Sequence, residues 1–151
     1  MAPWERSSGW VPLRPFAGEV VGTFILVVIG TGSVAAAVLT GAQSGLWQVA
    51  VVWGFGVTLA IYASASASGA HLNPAVTLSV ALFRHDEFPM RRLPSYWLAQ
   101  LIGAVLAGLV VLAVFGPFIE RFEANRGIER GAAGSQASAM VFGEYFPNPD
   151  I

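Results

Sequence analysis

Glu19, His71 and Asn73 are polar residues set in or beside apolar sequence, and each could do chemistry there. Residues 20–83 contain no Asp, Glu, Lys or Arg; Glu19 stands at the edge of that run, and His71 and Asn73 lie inside it. Asn73 precedes Pro74, which makes it a good helix N-cap with proline at the first helical position. Capping uses the side-chain oxygen and leaves the NH2 free to donate into an adjacent cavity, so Asn73 can cap, donate, or do both. An ionisable group beside a membrane span, such as Glu19, either serves function, holds a loop, or snorkels to the interface. His71 could relay protons or bind a ligand. No second His or acid stands at metal-ligand spacing, so the structural reading is favoured and no metal site is expected. Ser66, Ser68 and His71 could suggest a serine hydrolase, but no nucleophile elbow accompanies them, and His85 lies among charges. The chain is read as no enzyme and without a cofactor. Having no Cys, it can form no disulfide, thiolate metal site or Cys nucleophile.

The elements that position these residues follow from composition. The 151 residues are 55% hydrophobic and 11% charged, with mean hydropathy +0.63. Soluble domains carry roughly 25% charged residues. A second charge-free run covers residues 93–119. Such runs exclude a soluble globular domain and indicate membrane spans of about 20 residues each. We place these at about 17–39, 46–66 and 95–115, the last stopped by Gly116-Pro117. Between the second and third spans, residues 74–83 make a helix only about 15 Å long, half a bilayer core. The small residues from Ser64 to Ala70 precede it, and irregular backbone at membrane depth needs protein or a water-filled cavity around it. The expected fold is an all-α membrane protein, with three transmembrane helices and one re-entrant half-helix. An interfacial or core helix is the alternative for 74–83, and a cleaved signal peptide ending near Ala35-Ala36-Ala37 is the alternative for the first span.

Arginine placement orients the chain. All eight basic residues are Arg. Arg6, Arg14, Arg84, Arg91 and Arg92 fall on one side, and Arg121, Arg126 and Arg130 in the tail on the other. The positive-inside rule places the N-terminus in the cytoplasm, with residues 1–15 as a cytoplasmic tail and 116–151 as an external segment, mostly loop. The net charge of −1 and the lack of a basic cluster give no support to nucleic-acid binding.

Ser68-Gly69-Ala70-His71-Leu72-Asn73-Pro74-Ala75-Val76-Thr77 closely resembles the first Asn-Pro-Ala box of the major intrinsic proteins, the aquaporin and aquaglyceroporin family. Gly18-Glu19-Val20-Val21-Gly22-Thr23-Phe24 resembles that family's first-helix signature. Trp53-Gly54-Phe55-Gly56-Val57 resembles its second helix, and Ala99-Gln100-Leu101-Ile102-Gly103-Ala104 its third. Phe146-Pro147-Asn148-Pro149 is similar to the external loop of bacterial glycerol facilitators. The resemblance spans about residues 16–151 and implies one repeat, residues 16–115, of an inverted-repeat fold. The second box and its filter arginine have no counterpart here, so the chain is expected to be the N-terminal half, ending before a fourth span.

The resemblance implies a passive channel in the plasma (inner) membrane for glycerol, water and other small neutral solutes, assembled as a homotetramer when the full channel forms. It implies that Asn73, Pro74 and Ala75 form one of two midplane caps, and that the carbonyls of Gly69, Ala70 and His71 form an acceptor ladder. Glu19 and Gln100 would support the loop, and Trp53 would line the selectivity filter. An indole face suits a polyol's carbon chain; an interfacial aromatic belt is the other reading of Trp53. A non-conducting fragment, a water-selective channel and a metalloid-acid channel are the alternatives. Gly18-x3-Gly22 and Gly103-x3-Ala107 are small-residue stripes that allow close helix packing.

Overall fold

The computed structural model describes residues 12–43 and 45–143. Arg6 and the Phe146–Pro149 motif lie outside the described residues. The described chain is helical, with no strand among the described residues. Helix α1 is Leu13–Ala35, extended by a π-helical turn, Ala36–Thr40. Helix α2 is Leu46–Ser68, and α3 is the short Pro74–Phe83. A 3-10 turn, Met90–Arg92, leads into α4, Leu93–Arg126, and a single turn, α5, covers Gln136–Ala139. Among the described residues, three segments are long and apolar enough to cross a membrane: Leu13–Thr40, Leu46–Ser68 and Met90–Arg126.

Two helices run past the bounds read from the sequence. Helix α1 begins at Leu13, ahead of the expected start of the first span at about residue 17. Pro15 falls in the first turn, where its missing N–H would have had no helical partner. More substantially, α4 does not stop at Gly116-Pro117 but runs on to Arg126. Pro117 removes one backbone hydrogen bond, and a spanning helix tolerates that where its surroundings compensate. Ile119, Phe122 and Glu123, spaced at helical intervals beyond the proline, are buried, so the last turns gain packing that offsets the lost bond. Among the described residues after 116, helix continues to Arg126 and returns for one turn at Gln136–Ala139, where mostly loop was expected.

Helix α1 lies between α2 and α4, and α3 packs on α4. Small residues allow these approaches. A Cβ added at Gly18 would meet Ala67 and Ser68 at 3.0 Å, and one at Gly103 would collide with the Val20 carbonyl oxygen. Burial gathers at two ends of the bundle. Phe88, Leu93 and Tyr96 pack with Ala81 at the α3–α4 end. At the other end Val141, after α5, packs onto Ala35 and Val111. There the Arg130 Nε donates to both Glu123 carboxylate oxygens, at 2.8 and 3.1 Å, and closes the turn after α4. In the α1–α2 connection, the Ser33 hydroxyl donates to Gln43 Oε1 at 3.1 Å.

Candidate functional site

Between α2 and α3 the chain abandons regular structure for a few residues, and their backbone is strained. Gly69 has φ of 86°, and the non-glycine residues Ala70 and Leu72 have φ of 52° and 53°. Left-handed backbone at an L-residue costs roughly 1–2 kcal/mol each, so the surroundings must impose it.

They do so through the donors. The Gly69 N–H bonds to Ala65 O at 2.9 Å, and the Ala70 N–H to Ser68 Oγ at 3.1 Å. The His71 N–H donates to Glu19 Oε1 at 3.0 Å, and the Leu72 N–H to Glu19 Oε2 at 2.8 Å. Glu19 is completely buried, and its Oε2 takes a third bond from Gln100 Nε2 at 2.8 Å. The same Gln100 nitrogen donates to Thr77 Oγ1 at 2.9 Å, and the Thr77 hydroxyl donates to Asn73 O at 2.9 Å. Residues on α1, α3 and α4 thus grip one loop through a single network.

All four N–H groups of residues 69–72 are bound on the protein side. Among the described residues, no backbone N–H reaches the carbonyl oxygens of Gly69, Ala70 or His71. The backbone of the loop thus turns its donors inward and leaves these three carbonyls outside the backbone hydrogen bonding. Immediately after it, Asn73 caps α3 through Oδ1, which accepts from the Ala75 N–H at 2.7 Å and the Val76 N–H at 3.4 Å, with Pro74 at the helix start. That leaves the Asn73 NH2 as a donor beside the acceptors. Asn73, Pro74 and Ala75 are exposed on the surface of the chain.

His71 sits in an aromatic clasp. Its ring centroid lies 4.9 Å from both Phe88 and Tyr96, which themselves meet edge-on at 4.7 Å. The Tyr96 hydroxyl donates to Ser68 O at 2.7 Å, and Trp97 Nε1 to Pro74 O at 3.1 Å. The Ser68 hydroxyl donates to Ser64 O at 3.3 Å, so it serves the backbone rather than a histidine. Trp53 is half-buried on the α2 face that meets α1, with its indole over Gly30.

Thr77, Tyr96 and Phe88 were not picked out from the sequence. Thr77 could have been, since it stands four residues after Asn73, where a threonine hydroxyl reaches back to the i−4 carbonyl. Tyr96 reaches the loop from a distant helix, and no local pattern signals that.

The chain matches the family described as Major intrinsic protein over residues 6–144. It is 45% identical to the glycerol uptake facilitator protein of Pseudomonas aeruginosa over 133 residues, covering 88% of this chain and 47% of that protein. It is 36% identical to the propanediol uptake facilitator of Citrobacter freundii over 127 residues, covering 84% of this chain and 46% of that one. Among solved structures, the aquaglyceroporin from Plasmodium falciparum superposes with a TM-score of 0.65 at 36% identity, covering 72% of this chain and 44% of that one. The chain spans about half the length of the curated relatives it matches. With three membrane-length helices and a short capped helix among its described residues, and with this family match, the chain is a multi-pass membrane protein and belongs to the major intrinsic protein family.

Proposed function

We propose that the chain forms one half of a passive pore for glycerol, water and other small uncharged solutes. The observation that carries this reading is the one-sided hydrogen bonding of residues 69–72. Four N–H groups are turned into the protein, while the carbonyls of Gly69, Ala70 and His71 have no backbone donor among the described residues. Hydroxyls of water or a polyol would donate to those carbonyls in succession, then accept from the Asn73 NH2. In this reading Glu19 and Gln100 hold the ladder rigid. The N-terminal end of α3 carries a partial positive charge. Aimed at a membrane midplane, it raises the energy of cations there, the effect by which half-helix dipoles exclude protons and cations from aquaporin-type pores. The Trp53 indole supplies an apolar wall for a polyol's carbon chain. The names of the facilitator relatives support glycerol and related polyols as the substrate class.

In the same proposal α3 is a re-entrant half-helix, the N-terminus is cytoplasmic in the plasma membrane, and the complete channel is a tetramer. An inverted second repeat would cover Asn73, Pro74 and Ala75, which this chain leaves exposed. That exposure also favours a second reading for the chain taken alone, a membrane-resident half that does not conduct. Buried in lipid, unsatisfied polar groups cost several kcal/mol each.

The experiment compares the chain alone with a chimera in which the second repeat of the Pseudomonas aeruginosa facilitator follows Ile151. Both are reconstituted into liposomes, and shrinkage and re-swelling in a glycerol gradient are followed by light scattering. Glycerol flux from the chimera is expected, with none from the chain alone. A well-folded chimera that passes no glycerol would overturn the channel reading. Flux from the chain alone would overturn the half-pore reading in favour of an inverted dimer.

A further inference from the structure

The Trp53 indole fits a notch in α1 that exists because residue 30 has no side chain. A Cβ built at Gly30 would stand 2.5 Å from three atoms of the indole's six-membered ring. Carbon atoms at rest stand about 3.5–4.0 Å apart, so any larger residue at 30 drives the ring outward by about 1 Å. The fit is reciprocal. Just under one turn further along α2, Gly56 leaves a matching notch, where an added Cβ would meet Ile29 Cγ2 at 2.9 Å. Ring into Gly30 and branched side chain into Gly56 interlock the two helices at one register, which holds the indole at one depth. This is local to the pair. Gly32 on α1 and Gly54 on α2 have nothing within 4 Å of an added Cβ. Gly30 is also buried, and glycine weakens a helix interior relative to alanine. With glycine at 30 the large ring can sit directly against the α1 backbone, so this residue bears on the ring's position.

We propose that Gly30 is a positioning residue that sets how far the Trp53 indole projects from α1, and through the indole the solute preference of the passage. The inference rests on the reading of Trp53 as a wall of that passage. Gly30 touches no solute and acts only through the ring. Filling the notch pushes the indole away from α1 and narrows whatever space it faces.

The test separates the ring's position from its consequence. In the chain with Trp4, Trp10, Trp47 and Trp97 replaced by Phe, Trp53 is the sole tryptophan and is excited selectively, and the protein is placed in lipid nanodiscs. Gly30→Ala should shift the emission maximum and alter quenching by acrylamide and by brominated lipid. Gly32→Ala should overlay the parent. A Gly30→Ala spectrum indistinguishable from the parent overturns the proposal. Should Gly30→Ala fold poorly, the paired variant Gly30→Ala/Trp53→Phe, with its smaller ring, should recover the lost thermal midpoint; equal loss in both overturns the proposal. In the chimera described above, Gly30→Ala should lower glycerol flux relative to water, and Gly30→Ala/Trp53→Ala should match Trp53→Ala alone. If Trp53→Ala changes the solute ratio and Gly30→Ala does not, Gly30 does not set the preference. If neither changes it, the placement of Trp53 in the passage is what fails.

Discussion

Replacing Glu19 with Gln preserves its shape and removes its charge, and the loop should not tolerate it. The carboxylate accepts from the His71 N–H, the Leu72 N–H and Gln100 Nε2 at 3.0, 2.8 and 2.8 Å. A glutamine has one acceptor oxygen and one donor NH2. If its oxygen keeps the Leu72 and Gln100 bonds, its NH2 faces the His71 N–H, donor against donor. The change removes one charge-assisted bond and leaves the part-buried His71 N–H without its acceptor, a loss of about 1.5–3 kcal/mol. The left-handed residues Ala70 and Leu72 hold about 2–4 kcal/mol of strain between them, comparable with that loss. The loop should then open locally while the three long helices persist. Hydrogen exchange followed by mass spectrometry in nanodiscs reads this directly. Peptides covering residues 69–72 should exchange faster by about one to two orders of magnitude, with peptides from the middle of α1 unchanged. Loop protection equal to that of the parent would refute the argument that the carboxylate maintains the strained backbone.

Four further outcomes are expected. Reporters fused at Asp86 and at Gly134 should report opposite sides of the membrane; finding both on one side would refute the third span or its direction. In the chimera, Trp53→Ala should weaken discrimination between glycerol and larger solutes while water still passes, whereas Asn73→Asp should add a cation leak by placing a carboxylate at the positive end of α3, both measured as solute flux and ion leak in the same vesicles. Glu123→Gln should lower stability by about 1 kcal/mol, because Arg130 is largely exposed and the pair is screened; a thermal melt with no change would assign the turn after α4 to apolar packing alone.

The fold class was legible because a bilayer imposes a simple demand on sequence. Charge-free runs long enough to span mark the helices, and proline after an asparagine marks the start of α3. The family resemblance likewise rested on contiguous motifs such as Asn73-Pro74-Ala75. The far end of α4 was misread for a physical reason. Gly116-Pro117 is a strong stop when water competes for the freed carbonyl, but here helix packing through Ile119 and Phe122 carries the chain past it. Bonds between distant residues were hidden for a different reason. The hydroxyl of Tyr96 on Ser68 O and the seat of Trp53 on Gly30 depend on how α1, α2 and α4 are rotated against one another. Local spacing does not encode those rotations.

The buried carboxylate of Glu19 also has a timetable. Its backbone partners His71 and Leu72 follow it by 52 and 53 residues, and Gln100 by 81. At a synthesis rate of about 5–20 residues per second, the loop emerges about 3–10 s after Glu19, and the third span's amide about 4–16 s after it. For that interval α1 holds an acid whose permanent partners have not yet been made. An ionisable group without partners is costly inside the bilayer, so over that interval the interface or the insertion machinery is the more favourable place for it. Slowing translation between residues 20 and 71 lengthens that interval, which no contact in the finished protein records.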